Sequence, residues 1–297
     1  MNNLLRSEWH KISRHSMLVL FTLGIYPVGQ LVLLALQWFI YFVVPEAHET
    51  LSSQYFLKDA LTPWVNLTAL QGAFFRLLPL AFIATVFSSE YTSSTWKVIL
   101  PGQRRWKILA TKAVIAMVMI WLSLAAWSLL TVIGNGLPIT LLGKSYFPDW
   151  SGPAVRDFFL KLWVENLLAG ATLAFLVALS ALAAVLTRAT MPAVGAGVLF
   201  SLMESIAPMF LVLGNSLFGI SGDKAGFLGL WQYLPSYSTL NVREWLINGQ
   251  AYKLASFPGG ENLPEMSLMA SALIFAAWIV GCGVLALVTF QRQDITS

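Results

Sequence analysis

SLMASALIFAAWIVGCGVLALVTF, residues 267 to 290, contains no charged side chain and no polar/apolar alternation. A helix rises about 1.5 Å per residue, so a run of this length is enough to cross about 30 Å of hydrocarbon. Toward the amino terminus similar runs occupy about 193 to 213, 159 to 186, 108 to 133, 67 to 88 and 17 to 44. The chain is 57% hydrophobic and 11% charged, against roughly 25% charged for a soluble domain, so bilayer is the solvent. Backbone groups in lipid must pair within the segment, and continuous runs without a two-residue period do this as helices, not as barrel strands. The fold class predicted is all-α: one polytopic transmembrane domain over 1 to 297 with six spans. The first run follows a charged head and has no small-residue cleavage site, and reads as a retained span.

Charge sets the orientation. Arg6, Lys11, Arg14, Lys97, Arg104, Arg105, Lys107, Lys112, Arg188 and Arg292 fall on one face, with only Glu8, Glu90 and Asp294 as acids there. The positive-inside rule makes that face cytoplasmic, with both termini inside and the cell membrane, in a bacterium the plasma membrane, as location. The pI of 9.2 reflects these flanking cations and gives no nucleic-acid stripe; anionic membrane lipid is the better partner. Residues 4 to 14 place Leu5, Trp9 and Ile12 on one helical face, which predicts an interfacial amino-terminal helix. The small residues Ala174, Ala178 and Ala181, Gly197 and Ser201, and Ala277 and Gly281 recur at helical spacing and predict close helix contacts.

Catalytic chemistry finds no footing. His10, His15 and His48 lie outside the spans, and the single cysteine, Cys282, sits in an apolar run where a thiol is a small packing group. Gly143-Lys144-Ser145 mimics the end of a phosphate loop, but the first glycine would have to stand at Pro138. The reading is therefore a non-enzymatic chain with no cofactor or metal of its own.

The most specific segment is the first loop of the cationic face, residues 87 to 112. It reads FSSEYTSSTWKVILPGQRRWKILATK, with Glu90, Thr95, Trp96, Lys97, an apolar triplet, Pro101, Arg104, Arg105 and Lys112. Together with the opening LLRSEWHK at residues 4 to 11 and six spans, this resembles the permease subunits of ABC type-2 exporters. Ser94 departs from the glycine usual before the threonine in that family. The resemblance implies a coupling helix over about 90 to 100 seated on cytoplasmic ABC ATPase subunits, with Glu90, Thr95, Trp96, Lys97, Arg104 and Arg105 as the coupling residues. It also implies ATP and Mg bound by the partner ATPase, a second permease that is a copy or a paralogue, and export of an amphipathic, peptide, lipid or ionic substrate. Short re-entrant helices would fill the outer region between spans five and six. Independently, a tryptophan rimmed by cations is a residue set expected at interface hot spots.

Charges inside spans are costly unless paired or solvated. Arg76 and Glu204 lie at matching depths in the second and fifth spans, so they are expected either to pair or to line a translocation path. Glu165 and Asn166, in the outer part of the fourth span, are further candidates for that path. The alternative class is a secondary transporter driven by an ion gradient, which favours inverted repeats and broken helices; neither stands out in the sequence.

Overall fold

The computed structural model describes residues 2–44, 56–69, 73–92, 104–141, 143, 146, 151–218, 226–254 and 263–293. Helices make up nearly all of them, and no strand occurs among the described residues. Among the described residues, six helices are long and apolar enough to cross a membrane: α2 (Ser16–Val43), α4 (Ala73–Thr92), α5 (Arg105–Leu141), α6 (Gly152–Thr187), α7 (Thr190–Leu217) and α9 (Leu268–Arg292). Three shorter helices accompany them: α1 (Asn2–Arg14), α3 (Phe56–Thr68) and α8 (Pro235–Asn248). A 3₁₀ segment, Gly226–Tyr233, precedes α8.

Helix α6 is the hub. It touches α3, α4, α5, α7, α8 and α9, and 72% of its most apolar window is buried, against 22% for α2, α7 and α9. Its alanines explain the position: Ala169, Ala178, Ala181, Ala183 and Ala184 are buried and let neighbours approach from several sides. Phe175 fills the junction with α7 and α9, packing on Phe200, Phe275 and Trp278. The peripheral helices instead turn apolar side chains outward, as Phe21, Leu31, Val32, Phe39 and Phe42 do on α2. Such a surface suits hydrocarbon and not water.

Helix α2 seats on α5 through a close backbone approach. Trp38 Nε1 donates to Gly134 O at 2.6 Å, and a Cβ placed on Gly134 would stand 2.2 Å from Leu34 Cδ1. The π turn Leu20–Gly24 interrupts α2, and Leu23 O within it accepts the Ser123 hydroxyl of α5 at 2.5 Å. Tyr26 stacks on Trp127 of α5 at 5.3 Å between ring centroids.

Several boundaries differ from the sequence expectation. The second span was expected to start at 67, but Leu67 and Thr68 close a separate helix, α3, and the membrane-length helix starts at Ala73. Arg76 is the reason: its guanidinium bonds the carbonyls of Leu67, Thr68 and Ala69, which an uninterrupted helix would have given to its own amides. The chain thus does contain a broken helix. The fourth span starts at Gly152, because Ser151 caps it, accepting from Ala154 N at 3.4 Å, and Pro153 falls in the first turn where its missing N–H costs nothing. The third span reaches Leu141 and carries Pro138 inside it.

Candidate functional site

Two buried ionic clusters organise the bundle, one at each level at which sequence candidates were expected. The first stands at the end that gathers α1, the carboxyl end of α4, the start of α5 and the ends of α6 and α9. Lys112, on α5, is 1% exposed. Its ammonium donates to Val86 O at 2.9 Å and Glu90 Oε1 at 2.6 Å, and lies 3.3 Å from Glu8 Oε2. Lys11 of α1 donates to the same Glu90 oxygen, and Ser89 Oγ donates to Glu90 Oε2 at 3.1 Å. Two cations thus meet two anions: Lys112 makes two hydrogen bonds, to Val86 O and Glu90, and an ion-pair contact to Glu8.

Glu90, read as a coupling residue, is 0% exposed and is engaged within the chain by Lys11, Ser89 and Lys112. On α1, Glu8 and Ile12 are buried against the bundle and Trp9 is 37% exposed beside them; Lys112 draws the glutamate inward. Lys112 itself carried no role in the sequence reading beyond a loop charge. Its signal was its place inside the apolar stretch that begins at Ile108.

Tyr91 and Arg105, on either side of residues 93 to 103, are both bonded to α9. Tyr91 OH donates to Gln293 Oε1 at 2.9 Å, and Gln293 Nε2 in turn donates to Val185 O at 2.5 Å. Arg105 Nη1 donates to the carbonyls of Phe290, Gln291 and Gln293 at 2.6, 3.0 and 2.9 Å. A cation there satisfies the free carbonyls at the end of α9 and its dipole. Arg105 is thus a positioning residue as well. Arg104 is exposed and Trp106 is 44% exposed. Thr95, Trp96 and Lys97 lie outside the described residues.

The second cluster joins four elements at the break between α3 and α4. Arg76 Nη1 donates to Glu204 Oε2 at 2.9 Å, the expected pairing of the second and fifth spans. The rest of the guanidinium caps the carboxyl end of α3, while Glu204 Oε1 accepts Ser236 N at 2.5 Å, at the start of α8. A cation at a helix carboxyl end and an anion at an amino end are each the sign that the local dipole favours. The pair is therefore neutral, buried and satisfied by backbone on both sides.

Glu165 and Asn166 do not join this pair directly. Glu165, on α6, is 0% exposed and pairs with Arg243 Nε of α8 at 2.5 Å. Asn166 Nδ2 donates to Leu162 O of its own helix at 2.9 Å. Helix α8 links the two ion pairs, with Ser236 at Glu204 and Arg243 two turns further on. Its preceding turn is held by Trp278 Nε1, which donates to Tyr233 O at 2.8 Å.

A third polar group was not anticipated. Asp59, 8% exposed on α3, accepts from Asn135 Nδ2 at 2.9 Å and from Tyr146 OH at 2.8 Å. Burial pushes its carboxyl above the ordinary range, against the opposing pull of Asn135, Tyr146 and Lys58.

No model of a known protein family matches the chain, and neither a curated protein nor a solved structure matches it.

Proposed function

We propose that the chain is the membrane-spanning, non-catalytic permease subunit of an ATP-driven ABC transporter of the type-2 kind, energised in trans by ATPase subunits. The observation that carries the reading is the stapling of both ends of the 93 to 103 loop. The ionic cluster of Glu8, Lys11, Glu90 and Lys112 ties its flanks to α1 and α5, and Tyr91 and Arg105 tie them to α9. A force applied to such a loop reaches four helices without first being absorbed in slack. Thr95, Trp96, Lys97 and Arg104 are then the contact residues, and Glu90 and Arg105 hold the loop they stand on.

In this reading the cationic end is cytoplasmic, and the hairpin of the 3₁₀ segment and α8 dips into the bilayer from the opposite side. Arg76, Glu204, Glu165 and Arg243 frame the base of that hairpin, and displacement of α8 would open a path beside them. The cargo is an amphipathic, peptide, lipid or ionic molecule moved between two permease chains, identical or paralogous. The broken helix at Arg76 gives the ion-gradient carrier a specific observation in its favour, since such carriers place half-helix ends at their ion sites. Here, however, Arg76 caps the carboxyl end of α3 and is neutralised by Glu204, which also caps the amino end of α8.

Purification from native membranes in mild detergent tests the proposal. An ATP-hydrolysing chain is expected to co-purify, and Trp96→Ala with Arg104→Ala should cut its recovery at least tenfold. A chain that purifies without any nucleotide-binding partner, and whose transport collapses with the proton gradient at constant ATP, would establish the carrier instead.

A further inference from the structure

Between α5 and α9, just above the Arg105 staple, lies a cavity of about 260 Å³. Phe87, Trp106 and Leu109 form part of its wall, and Ala110, Ala181 and Gly283 its shallow floor. Helices α5 and α9 touch little beyond the staple, and a Cβ placed on Gly283 would meet no atom within 4 Å. The lining is apolar apart from the Trp106 indole, so a water-soluble ligand would find almost no partner there.

A cation stands at the rim: Lys107 Nζ lies 5.9 Å from the centroid of the Trp106 ring, and the exposed Arg104 precedes it, its carbonyl accepting Lys107 N at 2.9 Å. Neither has a carboxylate partner among the described residues, and the nearby Glu8 and Glu90 are committed to Lys11 and Lys112. An apolar groove, a tryptophan at its rim and two cations beside it, with no carboxylate partner among the described residues, match the order of acyl chain, interface and phosphate in a lipid.

We propose that this groove binds one anionic phospholipid, its acyl chain on Ala110, Ala181 and Gly283 and its phosphate on Lys107 and Arg104. The site does not depend on the driving force of transport, because its assay reads only binding. Native mass spectrometry of the detergent-purified chain, titrated with phosphatidylglycerol or phosphatidylcholine, tests it. One phosphatidylglycerol should bind at least tenfold more tightly than phosphatidylcholine. Gly283→Phe should weaken that binding tenfold or more by filling the groove. Arg104→Gln with Lys107→Gln, at positions outside the core, should erase the preference between the two lipids, and this arm decides alone if Gly283→Phe does not fold. Equal binding of the two lipids by the unaltered chain would overturn the proposal. So would a preference that survives both sets of substitutions, or a Gly283→Phe chain that keeps its lipid and loses only an oligomeric state.

Discussion

Lys112 shows how much one side chain can decide in this bundle. Its ammonium is the common partner of Glu8 and Glu90, so Lys112→Met leaves the buried Glu8 carboxylate without its ion pair and Glu90 with Lys11 alone. Removing one member of a buried pair costs about 3–5 kcal/mol, and chemical unfolding in mixed micelles should register a loss of that order. Lys11, whose side chain is 36% exposed, should cost far less when replaced by methionine. The Arg76 and Glu204 pair follows the same logic with a sharper signature: each single alanine is destabilising, and the double variant should lose clearly less than the two single losses added together. Strictly additive losses in that cycle would deny the coupling. Asp59 behaves in the opposite sense. Its folded carboxyl is raised by burial, so the folded state holds the proton more tightly than the unfolded chain, and stability falls as pH rises from the ordinary carboxyl range to the raised value. Asp59→Asn should remove that slope from unfolding curves recorded across the acidic range; an unchanged slope would place the titration elsewhere. Of these residues only Arg76 and Glu204 were legible as a pair in the sequence, because they stood alone in apolar spans. Glu8, Glu90 and Lys112 were masked by lying near the ends of spans, where a charge ordinarily meets water.

At the scale of elements, the apolar runs gave the number and order of the long helices, while their ends depended on single capping groups. Ser151 with Pro153, and Ser267, which accepts from Ala270 N at 3.2 Å, are local signals readable in the sequence. The break between α3 and α4 is of a different kind. It depends on Arg76 reaching back to three carbonyls, a tertiary contact that hydropathy does not encode. The contact of α2 with α5 also rests on one position. Gly134→Ala would set a Cβ 2.2 Å from Leu34 Cδ1, and overpacking of this kind costs about 1–3 kcal/mol. Adding Leu34→Ala should recover part of the loss in thermal unfolding followed by tryptophan fluorescence, whereas a second, independent loss would mean that the two helices do not meet there.

For the whole molecule, the distribution of small residues makes α6 the hub, and buried partners gather α1, the carboxyl end of α4, the start of α5 and the ends of α6 and α9 at one end of the bundle. The sequence showed that these segments share a face, through their excess of Lys and Arg; it did not show that the loop is tied to α1 and α9 by buried partners. That tie is what makes a coupling role mechanically reasonable, and it turns the resemblance over residues 4 to 14 and 87 to 112 into a testable geometry. The most direct measurement is photo-crosslinking from a benzophenone side chain placed at Lys97 or Arg104, in native membranes labelled with an azido analogue of ATP. The proposed permease predicts a crosslinked adduct that carries the nucleotide label from both positions and none from a benzophenone at Lys253, on the opposite side. Adducts without nucleotide from both loop positions, or a labelled adduct from Lys253, would contradict it.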